Sequence, residues 1–153
     1  MNNEDFVTYN QAVKLKELGF DWKCNHYYDI KTKEFLPVDC FNCDGYVDAD
    51  DLYDSNPPKD IITYGVSVPT LAQSQKWLRE KYKLWLEPVI CIQNVNHYSC
   101  DIYDLKTADE YNYMDSPTTD IEGTFHTPEE ALSAGIDKAI EIIKKINDDN
   151  RTN

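Results

Sequence analysis

Four residues in the first third of the chain have the side chains and spacing of a metal site. Cys24 and His26 lie two positions apart and would share one face of a strand, and Cys40 and Cys43 form a C-x-x-C pair. Three thiolates and one imidazole can close a tetrahedral zinc site. A single C-x-x-C pair is weak evidence, however, and C-x-H is an uncommon ligand spacing. The favoured interpretation is therefore no cofactor, with Cys24 in the core and Cys40 and Cys43 in a loop; structural zinc is the alternative.

The segment around the C-x-x-C pair also offers oxygen ligands for a cation. Asp44, Gly45 and Asp48 follow a pattern similar to the calcium loop of EF-hand and dockerin modules. Cys40 stands where that loop begins with Asp, and Asp51 stands where an EF-hand ends with Glu. A hard cation would then face a thiol, so we interpret the segment as a solvated acidic loop.

Carboxylates are concentrated in two stretches that contain no base. Seven acids lie between Lys33 and Lys59, and eight lie between Lys106 and Lys138. Tyrosines are interleaved with these acids, and such segments suit docking on a basic protein surface, because carboxylates speed encounter and Tyr supplies buried contact area. The residues expected to contact a partner are Asp48, Asp50, Asp51, Tyr46, Tyr53, Tyr111 and Tyr113. The alternative is that these acids provide only solubility.

The chain is poorly supplied with catalytic motifs. It contains three histidines and five glycines, and no nucleophile elbow, zinc-protease motif, P-loop or dinucleotide fingerprint. His97 lies beside a predicted hairpin turn and His126 precedes a predicted helix, so both are expected at the surface. We therefore expect a protein that is not an enzyme; an enzyme whose site is assembled from distant residues without a recognisable motif is a further alternative.

Five cysteines form an odd set, which favours free thiols over a disulfide framework. A hairpin that turned at Val95 and Asn96 would place Cys91 opposite Cys100, close enough to oxidise. In a reducing compartment the same residues would act as small buried hydrophobes, and this is the favoured interpretation.

Three helices are predicted from a repeated start signal, a Thr followed three residues later by Gln or Glu. These capping boxes are Thr8 with Gln11, Thr70 with Gln73, and Thr127 with Glu130. The first two helices are expected over 9–18 and 71–82, and the third from Pro128. Its apolar stripe is Leu132, Ile136, Ala139, Ile140, Ile143 and Ile146.

Aromatic and β-branched runs between the helices predict the strands. They are expected over 21–30, 34–38, 87–93, 98–105 and 120–125. Because strands that follow each other closely pair as hairpins, we predict an α+β fold: an antiparallel sheet of about four to five strands with three helices packed mainly on one face. One domain is expected over 1–147, with irregular acidic insertions near 39–58 and 107–119 and a flexible tail over 148–153.

The helix-bearing segments also have a family resemblance. TYNQAVKLKELGFDW, VPTLAQSQKWLREKYKLWL and TPEEALSAGIDKAIEII resemble short uncharacterised accessory proteins of bacteriophages and mobile elements of gut bacteria. The resemblance covers the three helices and the first strand. It implies an α+β fold and an accessory role, and it carries no catalytic residues.

Length and charge limit the remaining function classes. A chain of 153 residues is long enough for one domain, and its formal charge of −13 disfavours nucleic acids and anionic membranes as partners. No apolar run approaches the ~18 residues that span a bilayer, and the first residues lack the features of a signal peptide. We therefore expect a cytoplasmic protein, a small acidic interaction module whose partner is a basic protein surface. The resemblance implies an accessory role and a partner of host or phage origin.

Overall fold

The computed structural model describes residues 3–37, 65–90, 97–106 and 121–151. The chain divides into two compact units. The first unit is Phe6–Thr70, and the second unit combines Met1–Asp5 with Leu71–Asn153.

The first unit begins with helix α1, Tyr9–Glu17. The predicted capping box is confirmed: the Gln11 N–H donates to Thr8 Oγ1 at 3.3 Å, and the Thr8 N–H donates to Gln11 Oε1 at 2.9 Å. The helix ends in a Schellman motif, because Gly19 has a φ of 84° and its N–H donates to the Lys16 carbonyl at 2.8 Å. The helix and both of its end signals were therefore readable in the sequence.

The sheet of the first unit consists of β1 (His26–Asp29), β2 (Phe35–Pro37) and β3 (Gly65–Ser67). Its strand order is β2-β1-β3, and both pairings are antiparallel. The turn before β2 is fixed by the Asp29 carboxylate, which accepts hydrogen bonds from the N–H groups of Lys31 and Thr32 at 2.7 and 2.8 Å. Strand β3 was not predicted, because three residues are too few to show an alternating pattern.

The second unit begins with the 3₁₀ turn Asn3–Asp5 and contains helix α2, Leu71–Tyr82, at the predicted bounds. Its sheet consists of β4 (Leu84–Ile90), β5 (Tyr98–Asp104) and β6 (Ile121–Phe125), in the order β4-β5-β6 and antiparallel. The register pairs Cys100 with Pro88. Cys91, which a hairpin turning at Val95 and Asn96 would place opposite Cys100, lies outside the described residues.

Strand β4 forms one edge of this sheet, and helix α2 packs against it. The Gln75 side-chain amide donates to the Leu86 carbonyl at 2.6 Å, so the Leu86 peptide group points away from β5. Pro88 lies two residues further along the strand, so its backbone nitrogen also points away from β5. Proline has no N–H, and at this position its absence costs no hydrogen bond to β5. The side chain of Gln75 and the ring of Pro88 together limit pairing at this edge.

Helix α3, Pro128–Arg151, packs against α2 and all three strands of the second sheet. Its buried residues are Ala131, Gly135, Ile136, Ala139, Ile140 and Ile143. Four residues of the predicted stripe are thus buried, whereas Ile146 is 45% exposed. The helix continues to Arg151, so residues 148–151 of the predicted tail are helical.

The α+β class and the antiparallel pairing are confirmed, but the single sheet is wrong. In the part of the chain that the structure describes, the strands form two separate sheets of three. The physical reason is that β3 occupies the second edge of β1, and helix α2 begins four residues after β3 ends. The prediction of one domain over 1–147 stays a prediction, and the insertions at 39–58 and 107–119 lie outside the described residues.

None of the described helices has the length and the apolar character that are needed to cross a membrane.

Candidate functional site

All seven residues predicted to contact a partner lie outside the described residues. They are Asp48, Asp50, Asp51, Tyr46, Tyr53, Tyr111 and Tyr113. Cys40 and Cys43 of the predicted zinc set, and the calcium-like pattern beside them, also lie outside. Of the zinc set, the structure describes Cys24 and His26.

Cys24 is a core residue, as the favoured interpretation has it. It is 1% exposed, and its thiol donates a hydrogen bond to the Trp22 carbonyl at 3.6 Å. Burial raises the pKa of Cys24 to about 12, although the Ser67 hydroxyl beside it acts in the opposite direction. The thiol is therefore protonated at neutral pH, and only a bound metal or a strong base would make it a thiolate.

His26 belongs to a cluster of aromatic rings in the first unit. Its ring stacks on Phe35 with centroids 4.8 Å apart and 9° between the planes, and it meets Phe6 edge-on at 4.7 Å. The Nδ1 atom lies 2.8 Å from the Asn25 side-chain oxygen. Burial among these rings lowers the pKa of His26. The ring has a packing role here, and the zinc site that includes it stays a prediction.

Most of the net negative charge of the protein lies outside the described residues. These contain 17 acidic and 14 basic side chains, a formal charge of −3 out of −13. Residues 38–64 and 107–120 carry the remaining −10, with 11 acids and one base. By connectivity, the first of these segments joins the two outer strands of the β1 sheet, and the second joins β5 to β6. The described framework is thus nearly neutral, and two connections hold most of the charge.

The second sheet adds acidic and aromatic side chains within the described residues. Helix α3 covers the face that contains Leu86 and Cys100, since Gly135 contacts both. By strand alternation the other face carries Trp85 opposite Tyr103 and Glu87 opposite Asp101. We call these four residues the outer face.

The outer face has defined internal contacts. The Tyr103 hydroxyl donates to the Asp101 carboxylate at 3.2 Å, and the Arg79 guanidinium lies 5.1 Å from the centre of the Trp85 ring. Glu87 directly faces Asp101 across the strands, and like charges in such a pair disfavour the sheet.

Two residues that the sequence presented separately are brought together by the structure. His97 and His126, each predicted as a surface residue, have ring centroids 5.4 Å apart at 83°. No sequence signal links them, because the pairing of β5 with β6 decides their proximity.

Comparison with known proteins adds no relative: no family model, no curated protein and no solved structure matches this chain. The resemblance to accessory proteins of bacteriophages and mobile elements therefore stays a prediction.

Proposed function

We propose that this chain is an accessory interaction protein that binds a basic surface of another protein through carboxylate and aromatic side chains. The observation that carries the proposal is the division of charge. The described residues carry a formal charge of −3, whereas residues 38–64 and 107–120 hold −10. Acids concentrated in two stretches of the sequence attract and steer a basic protein surface.

The outer face supports the same role from within the described residues. Glu87 and Asp101 supply negative charge beside the Trp85 and Tyr103 rings. Aromatic residues are enriched at protein interfaces because they bury a large area with few rotatable bonds, and carboxylates complement lysine and arginine on a partner. The outer face therefore has the same two kinds of side chain, carboxylate and aromatic, as the two acidic segments 38–64 and 107–120.

The partner class follows from charge. A protein at −13 repels nucleic acid and anionic lipid, whereas a basic protein surface is attracted and steered toward it. An origin in a bacteriophage or a mobile element, which rests on the resemblance of the helical segments, would make the partner a host or phage protein.

The experiment is capture of partners from a host lysate on the immobilised full chain, at about 50 and 200 mM salt. We expect a protein with a basic surface that is retained at low salt and weakened at high salt. The double substitution Glu87→Gln with Asp101→Asn should reduce its retention if the outer face contributes. Recovery of no partner at low salt, or of one whose retention is independent of salt, would contradict the proposal.

A further inference from the structure

His97 and His126 occupy facing positions at one end of the second sheet. His97 immediately precedes β5, and His126 immediately follows β6. The pair Tyr98 and Phe125 lies one residue inside each of them, so the antiparallel register puts the two histidines opposite each other. Two imidazoles 29 positions apart in sequence thereby become cross-strand neighbours.

The separation of the rings matches that of two ligands on one ion. A metal–nitrogen bond of about 2.0–2.1 Å places each imidazole centre roughly 3 Å from the ion, and a tetrahedral angle then separates the two centres by roughly 5 Å. The observed separation is 5.4 Å. The planes are inclined at 83° in an edge-to-face arrangement.

The backbone of this pair is held by the elements around it. The His126 N–H donates to the Glu130 carboxylate at 2.9 Å, and the Glu130 N–H donates to Thr127 Oγ1 at 3.1 Å. His126 is therefore tied to the first turn of α3, while β5 is the central strand of the sheet. His126 is exposed and His97 is half-buried, so an ion from solvent can reach the pair.

We propose that His97 and His126 chelate one divalent transition-metal ion of the class that prefers imidazole, such as Zn²⁺, Ni²⁺ or Cu²⁺. Each residue supplies one ring nitrogen, and water completes the coordination. The site is separate from the predicted set of Cys24, His26, Cys40 and Cys43, because it uses none of those residues.

The test is calorimetric titration of the full chain with Ni²⁺ at about pH 7.5. We expect one equivalent to bind, and His97→Ala and His126→Ala each to weaken binding at least about tenfold through loss of chelation. His26→Ala is the matched control, since it removes the histidine of the other unit, and Cys40→Ser with Cys43→Ser tests the thiols. Both controls should bind Ni²⁺ as the unmodified chain does.

A second measurement needs no substitution at the pair. Imidazole nitrogen resonances of ¹⁵N-histidine-labelled chain should shift for His97 and His126 together as Zn²⁺ is added, while those of His26 remain in place. Binding that survives both alanine substitutions, binding that is lost with His26 or the thiols, or resonances of His97 and His126 that do not respond would each overturn the proposal.

Discussion

Gly135 of helix α3 lies directly against the side chain of Cys100 in strand β5. A Cβ at position 135 would overlap the Cys100 sulfur and lie 3.2 Å from its Cβ and 3.5 Å from Leu86 Cδ2. Cys100 is fully buried, so its sulfur has no solvent to move into. The glycine therefore sets how closely the helix approaches the sheet, and this explains a residue that otherwise weakens a helix interior by about 0.5–1 kcal/mol relative to alanine.

Gly135→Ala should lower the free energy of unfolding by about 1–3 kcal/mol, despite the better helix propensity of alanine, because the added methyl group overpacks the core. Chemical denaturation of the single variants and the double variant measures this. Cys100→Ala combined with Gly135→Ala should recover part of the loss, since it removes the overlapping sulfur. A stabilised Gly135→Ala variant would contradict the close approach.

The Thr127 cap offers a second test of the second unit. Its hydroxyl accepts the Glu130 N–H at 3.1 Å at the start of the longest described helix. Thr127→Ala should reduce stability by about 0.5–2 kcal/mol, because a backbone N–H in the first turn of the helix loses its acceptor. Thr127→Ser retains the hydroxyl and is the control. An unchanged denaturation midpoint in the alanine variant would remove Thr127 from this role.

A capping box has two hydrogen bonds, one to the Thr hydroxyl and one to the longer Gln or Glu side chain, and the sequence pattern predicts the first better than the second. At Thr8 the reciprocal bond of the Gln11 side chain forms as the pattern indicates. At Thr127 the Glu130 carboxylate instead accepts the N–H of His126, one residue earlier. Both patterns locate the helix start, because that depends on local chemistry; the partner of the longer side chain depends on how the preceding strand enters the helix.

Long-range pairing limited the other predictions. Helix α2 was predicted at its observed bounds, whereas β3 has only three residues and takes its place from β1. The division into two sheets and the meeting of His97 with His126 likewise depend on register between strands that are distant in sequence. Periodicity describes one element at a time, so it contains no information on which strands pair.

The half-buried ring of His26 predicts a pH effect in the first unit. Its pKa is lowered from 6.5 by burial, so the unfolded chain takes up the proton at a higher pH than the folded chain. Stability should therefore rise with pH through the interval between the two values, and fall as the pH drops below about 6.5. Unfolding of the unmodified chain and of His26→Phe, measured from about pH 5 to 7.5, should differ in slope in that interval. Equal slopes would show that His26 does not contribute.

The reactivity of the Cys24 thiol distinguishes a buried free thiol from a zinc ligand. A buried thiol whose pKa is about 12 should react with iodoacetamide at least about 100-fold more slowly in the native chain than in urea, as followed by mass spectrometry of its peptide. Chelator should leave the native rate unchanged. A rate that increases with chelator would indicate that a metal holds the thiol, and would favour the set of Cys24, His26, Cys40 and Cys43.

The predicted aromatic contacts should act on dissociation. Tyr46→Ala and Tyr53→Ala should each speed dissociation from the captured partner by about fivefold or more, because truncating an aromatic anchor removes contacts made only in the bound complex. Tyr9→Ala is a control, since Tyr9 packs edge-on against Tyr28 in the first unit. Unchanged dissociation in both variants would exclude these tyrosines from the interface.

The most direct measurement of the proposed function is the association rate of the captured partner with two variants of equal charge. One replaces Asp48, Asp50 and Asp51 by Asn, and the other neutralises three exposed acids of α3, Glu141, Asp148 and Asp149. If the acidic connection docks on a basic surface, the first variant should associate several-fold more slowly than the second at about 50 mM salt, and the difference should shrink at 200 mM, with thermal midpoints unchanged. Equal association rates for the two variants at both salt concentrations would contradict the proposal that these acids dock on a basic surface.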